Sequence, residues 1–239
     1  MNLLLLTPED LLDGERARIC DARRLRHLHE VHRAVCGDTL TVGLEGAGIG
    51  RAQLIALDRQ RAEFRLDSLT GQAPAPLPLH LLLALPRPRM LARTLENAAA
   101  MGVKRLTLLH TARVEKSYWH SPELAPARID AHLRLGLEQA RDTLLPRVEM
   151  ATRFRPFVED RLPDMLRGQR ALLAHPGMAT PCPRGLSMQT PVTLAIGPEG
   201  GFVDYEVARF LEAGFEGVHL GARILRVETA VTALLARLF

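Results

Sequence analysis

Apolar residues change their spacing near residue 70, and the change divides the chain. Before it, short alternating runs predominate. Leu40, Val42 and Leu44 alternate with polar neighbours and predict a half-buried strand, and residues 49–58 and 62–69 continue as strands. One helix interrupts them over residues 21–35, with Leu25, Leu28, Val31 and Val35 on one stripe. Cys36-Gly37-Asp38 ends it. Residues 1–6 are apolar and read as a first strand, because no basic segment or cleavage site accompanies them and Glu9 and Asp10 follow. Several short antiparallel strands predict a small β-barrel over residues 1–70. The Gly/Pro/Ala-rich residues 71–78 read as a linker.

From residue 79 to 239 strands alternate with helices. Residues 79–85 form an almost unbroken apolar run, as in a strand buried on both faces. A helix over 90–101 ends at Gly102, and residues 103–109 are the next strand. Residues 126–142 carry Ile129, Leu133, Leu137 and Ala140 on one helical side. Short strands follow at 148–151, 171–174, 192–196 and 218–220. Helices are predicted at 204–213 (Val207, Phe210, Leu211) and 228–239 (Val231, Leu234, Leu235, Leu238). This alternation predicts an α/β fold with a mainly parallel sheet and helices on both faces.

Composition adds a compartment and a class of partner. No apolar run reaches the roughly 20 residues of a membrane span. Cys20, Cys36 and Cys182 are an odd count without metal-ligand spacing, which predicts a reduced, cytoplasmic setting. Net charge is +4, and of 31 basic residues only Lys104 and Lys116 are lysine. Arginine suits phosphate contacts, so RNA is one reading and an Arg-rich coding bias the other. Gly46-Ala47-Gly48-Ile49-Gly50 lacks the dinucleotide-loop spacing and reads as a hairpin turn. His27, His29 and His32 cluster near Glu30, but only His29 and His32 share a helical face and no third ligand is evident, so no metal is expected. Ser117-Tyr118-Trp119-His120 reads either as loop packing or as a base-stacking surface.

Two glycine turns carry the candidate chemistry. Gly197-Pro198-Glu199-Gly200-Gly201 and Leu220-Gly221-Ala222-Arg223-Ile224-Leu225-Arg226 each follow a strand and precede a helix. Small residues let backbone groups approach a ligand closely, and Pro198 stiffens the first turn. P-loop and nucleophile-elbow motifs are absent from the sequence. A backbone-lined apolar pocket of this kind suits a nucleoside cofactor such as S-adenosylmethionine.

IGPEGGF (196–202) and LGARILRVETA (220–230) resemble the signature pair of the RsmE-type 16S rRNA (uracil-N3) methyltransferases of the SPOUT, or trefoil-knot, superfamily. Residues 31–38 resemble that family's VLRxxxGD segment, and Leu137-Glu138-Gln139-Ala140-Arg141 with Leu145-Pro146 its EQ…P segment. The resemblance implies a PUA-like RNA-binding barrel at the N-terminus, a SPOUT domain with a C-terminal trefoil knot, and a homodimer. It implies S-adenosylmethionine as cofactor and N3 of a 16S rRNA uridine in the small ribosomal subunit as target. Catalysis then falls to Arg226, which would stabilise the uracil anion, with Glu228 or Glu199 as base. Ile196, Gly197, Gly201, Leu220, Gly221, Ile224, Leu225 and Ala230 would line the cofactor pocket, and His175 either borders it or lies in a loop. Arg23, Arg24, Arg33, Arg87, Arg89 and Lys116 are the candidate phosphate contacts. The chain departs from the family in lacking an Arg at Met1-Asn2-Leu3, in Ala100-Met101-Gly102-Val103, in Ala140-Arg141-Asp142 and in Val203, after which Asp204 is the expected helix cap. Other readings are a SPOUT enzyme acting on another rRNA or tRNA position, a non-catalytic RNA-binding protein of the same fold, and an NAD or ATP enzyme of ordinary doubly wound fold.

Overall fold

The computed structural model describes residues 2–239, so Met1 of the expected first strand lies outside them. The chain forms two compact units. One holds the residues up to Pro74 together with Leu137–Leu145, and the other Ala75–Gly136 together with Pro146–Phe239.

The first unit is built on a curled five-stranded sheet. Its strands are β1 (Leu4–Leu6), β2 (Arg16–Ile19), β3 (Thr39–Leu44), β4 (Ile49–Leu57) and β5 (Ala62–Leu66), in the order β1-β3-β4-β5-β2. β1 pairs parallel with β3, so the sheet is mixed where the sequence suggested only antiparallel strands. Leu4, Leu6, Ile19, Val42, Leu54 and Phe64 form the core with Leu25 and Leu28. The helix carrying those leucines is shorter than expected. α1 (Ala22–Arg26), capped by Asp21 accepting the Arg24 N–H at 2.8 Å, widens into a π-type segment over His27–His32. Extra residues per turn carry the stripe off the core, so Leu25 and Leu28 are buried while Val31 is exposed, and Val35 is exposed because it lies beyond the left-handed C-cap Arg33. Residues 45–48 connect β3 to β4 as a hairpin, and Ile49 and Gly50 already pair in β4. A Cβ on Gly48 would stand 1.9 Å from the Leu69 carbonyl oxygen, and one on Gly50 2.6 Å from that of Ser68, so these glycines serve backbone packing.

The second unit carries a seven-stranded sheet. Its strands are β6 (Leu79–Ala84), β7 (Arg105–Leu109), β8 (Arg147–Ala151), β9 (Arg170–Ala174), β10 (Thr180–Pro181), β11 (Val192–Ile196) and β12 (Glu216–His219). The order is β10-β12-β9-β11-β6-β7-β8, and every pairing is parallel. All residues of β6 and β11 are buried, which is why these strands read as continuous apolar runs. The helices are α2 (Pro88–Ala100), α3 (Pro126–Ala140), α4 (Phe154–Pro156), α5 (Leu162–Met165), α6 (Asp204–Glu212) and α7 (Val227–Leu238). α7 buries Val231, Leu234, Leu235 and Leu238, the stripe its spacing predicted, and packs against α2. In α6 the buried positions are Glu206 and Phe210, and Leu211 is exposed. Phe210 meets Phe154, Phe202 and Phe215 edge to face. Truncating it to alanine would cost about 3–5 kcal/mol.

Candidate functional site

The pocket forms where three neighbouring parallel strands end together. Ile196 of β11 lies level with Ala174 of β9, which lies level with Val218 of β12. The chain therefore leaves all three strands on one side of the sheet, the usual place for a ligand in an open parallel sheet. His175, the first glycine turn and the second glycine turn emerge there in turn, and α7 closes the cavity with Val227, Ala230 and Leu234.

All nine residues read from the sequence as pocket lining meet in this one cavity: His175, Ile196, Gly197, Gly201, Leu220, Gly221, Ile224, Leu225 and Ala230. Glu199 joins them. Arg226 and Glu228 do not line it. Arg226 is the exposed N-cap of α7, flanked by the lining residues Leu225 and Val227, so it stands at the rim. Among the described residues it makes no ion pair with Glu199 or Glu228. Glu228 is half-buried in the first turn of α7.

The first turn is fastened from several directions. Gly201 N–H donates to the Pro198 carbonyl at 2.8 Å. Glu199 accepts the Arg87 N–H at 3.1 Å, reaching the start of α2 instead of capping its own turn. The expected Asp204 cap is not used. Val203 is the N-cap, and Glu206 reaches back to its N–H at 3.0 Å, which is half of a capping box. The other oxygen of Glu206 accepts the Ala112 N–H at 2.6 Å, and the next side chain, Arg113, donates to the Gly200 carbonyl. A Cβ on Gly197 would stand 3.1 Å from the Phe202 nitrogen and 3.2 Å from its ring.

The second turn lacks such anchors. Residues 221–226 are all exposed, with Ile224 at 83%. Gly221 has φ +116°, and a Cβ there would meet no protein atom within 4 Å, so a side chain at this position faces backbone strain and not a protein clash.

The cavity holds two imidazoles of the same construction. His175 Nδ1 accepts the Gly177 N–H at 3.1 Å, and His219 Nδ1 accepts the Gly221 N–H at 2.9 Å. With Nδ1 used as acceptor, the neutral ring carries its proton on Nε2. Sequence reasoning missed His219 along with Pro198, Phe202 and Arg223. The repeated His-x-Gly after two strands was the signal for the histidine.

The candidate phosphate contacts divide by what already holds them. Arg24 is committed to both oxygens of Asp10, at 2.6 and 2.9 Å, and to the Leu5 carbonyl. Removing it would strand a buried carboxylate at a cost of about 3–5 kcal/mol. Arg23 makes a bidentate pair with the buried Glu138. Arg33, Arg87, Arg89 and Lys116 are exposed, and their side chains form no ion pair among the described residues. Trp119 donates its indole N–H to His110 Nδ1 at 2.9 Å, and the Tyr118 hydroxyl donates to Glu115 at 3.0 Å. Desolvation first, and then this hydrogen bond, hold the Tyr118 phenol above its ordinary pKa.

Comparison with known proteins bears on the whole chain. The profile of the RNA methyltransferase domain family matches residues 73–239. The ribosomal RNA small subunit methyltransferase E of Synechocystis sp. is 30% identical over 240 residues, covering 98% of this chain and 76% of that protein. The protein of the same name from Treponema pallidum is 28% identical over 239 residues, covering 99% of this chain and 90% of that one. The crystal structure of a Neisseria gonorrhoeae ribosomal RNA small subunit methyltransferase E bound to S-adenosyl methionine superposes with a TM-score of 0.77 at 24% identity. It covers 99% of this chain and 95% of that one. At that identity the likeness speaks for the fold.

Proposed function

The chain belongs to the ribosomal RNA small subunit methyltransferase E family, and from that premise we propose that it methylates N3 of a uridine in 16S rRNA with S-adenosylmethionine as donor. The observation that carries the reading is the convergence of both signature turns on one cavity at the carboxyl ends of β9, β11 and β12. The cavity suits that cofactor. Ile196, Leu220, Leu225 and Ala230 offer apolar surface for an adenine, His175 and His219 offer donors, and Gly197 lets backbone groups reach the ligand. When bound, the cofactor supplies an electrophilic methyl group on a sulfonium.

The chain's own residues must then present and activate the base. N3–H is engaged in Watson–Crick pairing, so the uridine has to be unpaired or flipped out. Arg226 at the pocket rim stabilises negative charge on the uracil carbonyls as N3 loses its proton. Glu228 or Glu199 takes that proton, and Glu199 already has one oxygen occupied by the Arg87 N–H. Arg33, Arg87, Arg89 and Lys116 are the cations left free for phosphates, with Arg23 secondary and Arg24 structural. The same family reading extends to a knotted C-terminal chain, a homodimer and a cytoplasmic enzyme acting on the small ribosomal subunit.

The test is a methyltransferase assay on small ribosomal subunits that lack the modification, with mass mapping of the product nucleoside. 3-Methyluridine in 16S rRNA is expected. A ribose-methylated product, or methylation confined to tRNA, would move the enzyme to another target within the superfamily. RNA binding should also weaken steeply with salt, as counterion release requires.

A further inference from the structure

Two side chains from different loops converge on Gly201, and neither the signature turns nor the proposed catalytic residues account for both. Arg113 follows β7 and His175 follows β9. A Cβ placed on Gly201 would lie 3.9 Å from Arg113 Nη1 and 4.0 Å from His175 Nε2. A guanidinium and an imidazole thus border the same small space. The space exists because residue 201 is glycine, held at φ +73°.

Both groups present donors to it. His175 spends Nδ1 on the Gly177 N–H, so its neutral ring presents Nε2–H, and the residue lines the cavity. Arg113 uses Nη1 on the Gly200 carbonyl, has no carboxylate partner among the described residues, and keeps its remaining N–H groups for other acceptors. Its position is not accidental. The preceding residue, Ala112, gives its N–H to Glu206, a carboxylate only 3% exposed that also holds Val203 just past the turn. Glu206 therefore fixes the start of the Arg113 side chain relative to Gly200 and Gly201. Two donor groups beside a glycine, one of them permanently cationic, make a site for an anionic oxygen group.

We infer that Arg113 and His175 form an oxyanion subsite over Gly201 that binds a carboxylate or phosphate oxygen of a ligand in the adjoining pocket, with Glu206 as the positioning residue behind it. This rests on the proposed S-adenosylmethionine reading. Within that reading the group is the α-carboxylate of the cofactor, since His175 reaches the space from inside the cavity. A phosphate beside the target nucleotide shares the chemistry, and the experiment separates the two.

The experiment measures calorimetric affinity for S-adenosylhomocysteine and for 5′-methylthioadenosine, which keeps the nucleoside and lacks the amino-acid tail. The proteins are the wild type, Arg113→Met, Arg113→Lys, His175→Gln and Glu206→Gln, and binding of a 16S rRNA fragment is measured in parallel. Loss of one charge-assisted hydrogen bond should weaken S-adenosylhomocysteine about 10- to 100-fold in Arg113→Met. 5′-Methylthioadenosine should bind every variant as it binds the wild type. Arg113→Lys should recover part of the loss, and Glu206→Gln should show a smaller loss of the same selectivity. A variant that weakens only the RNA assigns the subsite to phosphate. Equal weakening of both nucleosides, or of neither nucleosides nor RNA, overturns the subsite. Failure of the wild type to bind either nucleoside overturns the cofactor reading itself.

Discussion

The turn after β11 and the turn after β12 line the same cavity, yet only the first is fastened. Gly197–Phe202 is held by α2 through Glu199, by the loop after β7 through Arg113, and by α6 through Glu206, and Phe202 anchors its end in an aromatic cluster. Residues 221–226 make no comparable contacts and lie exposed, with Ile224 and Leu225 offering apolar surface to solvent. One wall is tied to neighbouring elements, and the other is left exposed. Binding energy is spent on ordering only where order is missing, so the two walls should respond differently to the same kind of damage.

The largest effect is expected at the exposed wall, on turnover. Arg226→Ala removes the rim cation while leaving every pocket-lining residue in place. Turnover should fall about 100- to 1,000-fold, as when a preorganised charge-stabilising donor is lost. Calorimetric affinity for S-adenosylhomocysteine should stay within about twofold, since Arg226 touches none of the cavity. Near-wild-type turnover would remove Arg226 from catalysis. A matching loss of affinity would show that the second turn is ordered by this side chain.

At the fastened wall the same experiment should give the opposite split. Gly197→Val places carbon against the Phe202 backbone nitrogen and ring, and neither can move without disturbing the turn or the aromatic cluster. Cofactor affinity should fall at least about 100-fold, an effect of some 2.7 kcal/mol or more. Retained affinity would mean that the first wall is more pliable than its contacts imply.

The fastened wall also rests on a strand with a pH-dependent core. His80 of β6, next to β11, is buried with Nε2 2.8 Å from the Thr107 hydroxyl and Nδ1 unpartnered. Burial first, and then Arg105, push its pKa down to about 4. An unfolded histidine takes up its proton near pH 6.5, before the folded one does. The stability of the folded state is therefore undiminished by His80 above about pH 6.5 and declines as pH falls toward 4, by up to about 3 kcal/mol. Chemical denaturation at pH 7 and at pH 4.5 measures it, and His80→Leu should flatten the difference. An unchanged slope in that variant would assign the acid sensitivity elsewhere.

Local pattern made one part of this architecture legible, and distance in sequence hid the other. The α7 stripe and the buried runs of β6 and β11 are local periodicities, and both glycine turns announce themselves by composition. The nine lining residues could be named because they sit in or beside those patterns. The fastenings could not. Glu206 meets Ala112, Arg113 meets Gly200 and Glu199 meets Arg87 across 87 to 112 residues of chain, and no spacing rule links them. The same reason explains Arg23 and Arg24, which look like free surface cations until Glu138 and Asp10 are folded against them. The π-type segment misled differently: its residues keep helical spacing in sequence, while the wider turn exposes Val31 and the left-handed cap at Arg33 takes Val35 out of the helix.

The smallest expected effect isolates backbone freedom in the exposed wall. Gly221→Ala adds a methyl group that meets no protein atom within 4 Å, so its cost comes from φ +116° alone, about 1 kcal/mol. In an exposed turn without tertiary anchors, that cost can be avoided by letting the turn relax. The melting temperature of the ligand-free protein should therefore change little. A ligand that needs the native turn restores the cost on binding, so S-adenosylhomocysteine should bind about fivefold more weakly. Gly197→Ala is the paired control, because its methyl group sits 3.1 Å from the Phe202 nitrogen in a turn that cannot relax freely. That variant should lose melting temperature before ligand is added. If Gly221→Ala loses melting temperature to the same extent, the second turn is as fastened as the first, and the difference between the two walls does not hold.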